Sequence, residues 1–242
     1  NKENSESLYR KGEQAFQDYN FEEAITFFNQ AKDLGNSDAY YYLSYSHFWG
    51  LGVVVDYNEA YDLARKGYDL GSIPATYQLG FYLDNGFGVQ MDEAEAKRLF
   101  QKDFLVKWFK DQYKLNKRPI QASNMSIMFT YGYGGVEVDE KNALIWNKQA
   151  ASQGDLVAQF TLGINYVLTD DGVEPDFNKA YSLCIKAAES GLPKAQFVIG
   201  GMYYQGIGIA QDEKAAIQWW QKAARHGDVD AQESLTAINK TW

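Results

Sequence analysis

Cysteine is almost missing from this chain: Cys184 is the single one in 242 residues. One thiol excludes an intrachain disulfide and a cysteine-built zinc site. Histidine is nearly as scarce, with only His47 and His226. No G-x-S-x-G stretch supports a Ser-His-Asp set, and no Walker-type loop is present. No run of 18 apolar residues occurs, so no membrane-spanning helix is predicted. Positive charge is in deficit: 23 Lys and Arg stand against 32 Asp and Glu, a net charge of −9. That balance excludes a nucleic-acid binder or a protein held to anionic lipid by charge, since both need a basic face. Apolar residues are plentiful at 45%, which excludes a disordered chain, and aromatics reach 16% with 18 Tyr. The first residue is Asn1 and not Met, which fits a removed signal peptide or a trimmed chain. The first is the expectation, and it implies an exported protein, periplasmic or secreted.

What is abundant is internal repetition. The stretch Ala195–Gly227 holds two helical patterns, Ala195–Tyr204 and Asp212–His226, around a glycine hairpin at Gly206 and Gly208. Upstream, units begin at Ala39, Ala75, Ala122 and Ala158, and a half unit follows from Ala231. Successive starting alanines are 36, 47, 36, 37 and 36 residues apart. A period of that size marks a solenoid of helix pairs. Alanine and glycine at fixed places let two helices approach closely. The hairpin glycines permit positive φ where the chain reverses. The aspartate that follows (Asp56, Asp92, Asp139, Asp176, Asp212) stands where an N-cap would. The closing glycine suits a left-handed C-cap.

These residues carry a resemblance. The pattern A-x-x-x-L-G-x-x-Y-x-x-G-x-G-V, then D-x-x-K-A, then W-x-x-K-A-A-x-x-G, resembles the Sel1-like repeat family. Residues 195–227 match almost position by position, 122–154 and 158–191 match well, and 39–71 more loosely. The first pair, with Leu8, Gly12, Ala15, Ala24, Phe28 and Ala31, lacks the hairpin and is closer to a tetratricopeptide repeat. The resemblance implies an all-α fold: a right-handed α/α superhelical solenoid of about six helix pairs plus a capping helix. The expected organisation is one repeat domain, 1–242. Residues 1–37 form the tetratricopeptide-like repeat, 38–228 the Sel1-like repeats and 229–242 the cap.

Three departures break the pattern. The 47-residue step carries eleven extra residues within 101–118, about three helical turns, which predicts a longer second helix or an added short one. There Phe104, Trp108 and Leu115 share one stripe, among Lys102, Lys107, Lys110, Lys114, Lys117 and Arg118. Either the aromatics pack on the next repeat and the basic groups are solvated, or the segment protrudes to touch a partner or a second copy. In the fourth unit Ser126 and Ile127 replace Leu-Gly, which predicts looser helix contact. In the fifth, Thr169, Asp170 and Asp171 replace the hairpin glycines, which predicts an acidic surface turn and no metal site.

Function follows from the resemblance, which implies an adaptor or recognition scaffold without catalysis or cofactor. In a helix-pair solenoid the first helices line a concave groove. Positions two, six and nine after each starting alanine are expected to face it. They are Tyr41, Tyr45 and Phe48; Tyr77, Phe81 and Asp84; Asn124, Met128 and Tyr131; Phe160, Ile164 and Val167; and Phe197, Gly201 and Tyr204. A column this rich in aromatics reads as a partner-binding surface, or as core if a tight superhelix buries it. Trp108 is a candidate second contact. His47 occupies the place of Tyr166 and Tyr203 and reads as packing. The expected partner is a protein or peptide bound by a monomer, in a bacterial adaptor, regulator or toxin-neutralising role. A self-assembling module and a carbohydrate-binding protein are the alternatives.

Overall fold

The computed structural model describes residues 2–101, 104–168 and 175–242. Fourteen α-helices and no strand occur among the described residues. They are α1 (Lys2–Gln17), α2 (Phe21–Asp33), α3 (Ala39–Trp49), α4 (Tyr57–Asp69), α5 (Ile73–Asn85), α6 (Glu93–Phe100) and α7 (Phe104–Asn116). Then come α8 (Pro119–Tyr131), α9 (Glu140–Ser152), α10 (Leu156–Asn165), α11 (Phe177–Glu189), α12 (Pro193–Gln205), α13 (Glu213–Arg225) and α14 (Val229–Ala237). The fold is an all-α solenoid of helix pairs. Contacts gather it into two compact units, Asn1–Ala143 and Leu144–Trp242, with the boundary inside α9.

Each hairpin is built from the same local chemistry. The five recurring aspartates all cap a second helix: the carboxylates of Asp56, Asp92, Asp139, Asp176 and Asp212 accept from the backbone N–H three residues on. Their own N–H groups donate back to the first helix, to the carbonyls of His47, Leu83, Phe129, Tyr166 and Tyr203. One residue thus closes the turn and starts the next helix. The second hairpin glycine has a packing reason as well as a conformational one. A Cβ on Gly88 would lie 1.9 Å from the Tyr57 carbonyl oxygen, and one on Gly208 would lie 2.5 Å from that of Phe177. These two hairpins therefore rest on the first turn of the preceding repeat's second helix, whereas a Cβ on Gly134 would meet Val106 of α7 at 2.8 Å. The predicted turn at Thr169–Asp171 lies outside the described residues.

Inside a pair, small meets large. A Cβ on Gly80 would lie 2.7 Å from the Phe100 ring, and one on Gly200 would lie 2.4 Å from Trp220. At Ser126, where looser helix contact is expected, the side chain is buried and its hydroxyl donates to the Ala143 carbonyl at 2.8 Å. Ser44 does the same toward Ala60 at 2.7 Å. A hydrogen bond there substitutes for the bare glycine contact. Cys184 is buried opposite Gly163, and burial pushes its thiol up to about 11, which keeps it protonated and unreactive.

Of the two forms open to the 101–118 segment, the added helix is the one observed. The second helix of the third repeat, α6, has only 8 residues, and α7 follows as a separate helix of 13. It packs on α5 and α8 through Leu105, Val106 and Phe109, all buried. At the chain's end α14 covers Trp220, Ala223 and Ala224 of α13 with Ala231 and Leu235, as a cap should.

Candidate partner-binding surface

The predicted column divides according to the unit in which it lies. In the first unit, Tyr41, Tyr45, Tyr77, Asn124 and Met128 are buried and do not form the open surface that the column pattern predicts. The physical cause is the chain's own covering. The Phe109 ring of α7 packs edge-on against Tyr77, centroids 5.3 Å apart. Asn124 of α8 donates to the Tyr41 hydroxyl. Tyr45 packs on Phe16 of α1, centroids 6.1 Å apart. Burial holds the Tyr77 hydroxyl well above its ordinary range, so it is no source of charge near neutrality.

The rest of the first-unit column sits at the hairpin edge. Phe48 and Phe81 are half-buried in one aromatic cluster with Tyr82 and Phe87. Asp84 is half-buried and accepts a hydrogen bond from the Tyr133 hydroxyl at 2.6 Å. Tyr131 is open, at 57% exposure, and stacks on Tyr133. Trp108 is half-buried, edge-on to Phe109.

In the second unit the same column stays accessible. Phe160, Ile164 and Val167 of the fifth repeat are half-buried, as is Phe197. Tyr204 is 38% exposed, with its ring 5.2 Å from Trp220. A Cβ built on Gly201 meets nothing within 4 Å. Helix α11 packs against both α10 and α12, which makes them the first helices of successive repeats. The accessible part of this column is apolar and largely aromatic, suited to packing against another apolar surface.

His47 is half-buried on α3, and the His226 Nδ1 lies 2.8 Å from the Lys222 carbonyl at the end of α13. Among the described residues, no group of three or more His, Cys, Asp or Glu is placed to hold a metal ion, and no helix is long and apolar enough to cross a membrane.

A contact that the column pattern missed is made by glutamine. Gln159, Gln196 and Gln232 each follow a starting alanine and donate to the carbonyls of Ala151, Ala188 and Ala224 in the preceding second helix. The recurring Ala-Gln pair was the available signal.

Comparison with known proteins places these repeats. The family model described as Sel1 repeat matches residues 7–36, 37–72, 73–102, 122–155, 156–192 and 193–228. The match therefore includes the first pair, and it leaves 103–121 between two repeats. A solved structure described as a Sel1 repeat protein from Oxalobacter formigenes is 30% identical with a TM-score of 0.52, covering 95% of this chain and 89% of that one. Chitin synthase regulator SKT5 of Saccharomyces cerevisiae is 34% identical over 120 residues, 49% of this chain and 16% of that protein. Chitin synthase regulatory factor 3 of Schizosaccharomyces pombe is 32% identical over 108 residues, 44% of this chain and 12% of that protein. The chain thus spans less than a fifth of these curated relatives. Their fungal sources do not support the bacterial setting that the resemblance implied.

Proposed function

The chain belongs to the Sel1 repeat family, and from that premise we propose that it is a non-catalytic scaffold that binds a protein or peptide partner along its first helices. The observation that carries the reading is the accessible column of the second unit: Phe160, Ile164 and Val167, then Phe197 and Tyr204, with open space over Gly201. A partner side chain would seat beside Gly201 and be flanked by Phe197 and Tyr204. In the first unit, Phe48, Phe81 and Asp84 are half-buried and Tyr131 is exposed, so that unit's hairpin edge offers a contact of its own. The regulator names of the curated relatives support a role exerted through binding.

Affinity capture from the source organism's extract tests this, with wild type beside Phe160→Ala/Tyr204→Ala. Circular dichroism of the variant establishes that it folds. Interface aromatics of this kind contribute roughly 2 kcal/mol each, so the captured partner should bind the double variant at least about tenfold more weakly. Equal binding by wild type and the folded variant sinks the reading.

A further inference from the structure

Helix α7 carries exposed apolar and basic residues on the side away from its buried face. It lies in the stretch 103–121 that falls between two family-model matches. Its inward face, Leu105, Val106 and Phe109, is buried and accounts for its hold on the fold. At about 100° per residue, Phe104, Trp108 and Leu115 fall within about 40° of arc on the outward side. Leu115 is 72% exposed and Phe104 is 44% exposed. Beside that ridge runs a second one, Lys107, Lys110 and Lys114, spread over about 60°. The Lys107 side chain is 77% exposed and pairs with Asp111, and Lys114 is exposed. The Lys110 ammonium lies 5.6 Å from the centre of the Phe129 ring. Residues 104–118 hold five Lys or Arg against one acidic residue, in a chain of net charge −9.

Leu115 and Phe104 stand where the outer face of a surface helix typically carries polar groups. An apolar ridge beside a basic ridge recognises its converse. That is a helix with one row of leucine- or phenylalanine-like residues and an adjoining row of Asp or Glu. We propose that the outer face of α7 is a docking surface for an acidic amphipathic helical segment of a partner protein. An anionic lipid surface fits less well. The lysines flank the apolar ridge on one side only, Asp111 lies between the two ridges, and the net charge of −9 opposes approach to anionic headgroups. This face is made by residues of the first unit and the α10 and α12 column by residues of the second, with none in common, so variants of one test it without altering the other.

The test places a photo-cross-linker by Leu115→p-benzoylphenylalanine and irradiates the full chain in the source organism's extract. The cross-linked segment is mapped by mass spectrometry and then synthesised as a fluorescent peptide. The expected segment is helical, acidic and amphipathic. Its Kd should rise about tenfold or more for Lys107→Glu/Lys114→Glu, and also when salt rises from about 50 to about 300 mM, as screening requires. Phe160→Ala/Tyr204→Ala should leave that Kd unchanged. All these positions are exposed or half-buried, and circular dichroism checks each variant. The proposal is overturned by cross-links only to a second copy of this chain, by cross-links only to phosphatidylserine vesicles added in parallel, by a mapped segment without acidic residues, by a charge-insensitive Kd, or by no cross-link at all.

Discussion

Gly200 and Gly201 are neighbours on α12 with opposite surroundings. A methyl group on Gly200 would lie 2.4 Å from Cδ1 and 2.5 Å from Nε1 of Trp220. That indole cannot retreat freely, because its N–H donates to the Phe197 carbonyl at 3.1 Å. Overpacking of this kind costs about 1–3 kcal/mol, against a gain of up to about 1 kcal/mol from alanine's better helix propensity. Gly200→Ala should therefore lose about 1–2 kcal/mol. Gly201→Ala has only the propensity term, since nothing approaches its Cβ, and should gain about 0.5–1 kcal/mol. Urea unfolding of the two variants measures both. A Gly200→Ala protein as stable as wild type would mean that the glycine is not there for close helix approach.

At the scale of the element, capping gives the sharpest contrast. The Asp212 carboxylate accepts the Ala215 N–H at 3.0 Å at the head of α13, whereas Asn20, in the same place before α2, makes no side-chain cap bond. Asp212→Ala should cost about 1 kcal/mol, while Asn20→Ala should cost only a few tenths, as a surface change does. Equal losses in urea unfolding would contradict this account of the recurring aspartate. The sequence could be read here because helix starts, hairpins and closing glycines are local chemistry that repeats in phase. Asp56, Asp92, Asp139, Asp176 and Asp212 were all legible as caps for that reason. The exposure of the column was not legible. Tyr77 occupies a groove position by register, and what buries it is Phe109, supplied by a helix that stands outside the repeat. Periodicity fixes which face a residue occupies in its own pair, but it carries no information about which added element covers that face.

At the scale of the whole molecule, stability in a solenoid is ordinarily a sum of neighbouring contacts. The first unit departs from that rule. Arg118, at the head of α8, reaches α1: its guanidinium lies 3.2 Å from the Glu13 carboxylate and donates to Gln17 at 3.3 Å, a residue 101 positions away. The Tyr41–Asn124 hydrogen bond spans 83 positions. Burial raises the Glu13 carboxyl above its ordinary pKa even with Arg118 and Arg10 drawing it down, so this pair is held against a desolvation cost. Removing one partner leaves the other exposed to that cost. Arg118→Ala should lose about 3 kcal/mol, the low end for a broken buried pair, because Arg10 still contacts Glu13 at 2.9 Å. The sign with pH follows. Without Arg118 the Glu13 pKa rises further, and a carboxyl with a raised folded pKa is at its most favourable when protonated and loses stability as pH climbs through that value. The deficit of Arg118→Ala relative to wild type should therefore be larger at about pH 7.5 than at about pH 5. Urea unfolding at the two pH values measures it, and hydrogen exchange locates it: amides of α1 and α8 should lose protection while those of α13 and α14 keep theirs. A deficit independent of pH, or a loss of protection confined to α8, would mean that the first unit is held by neighbouring contacts alone.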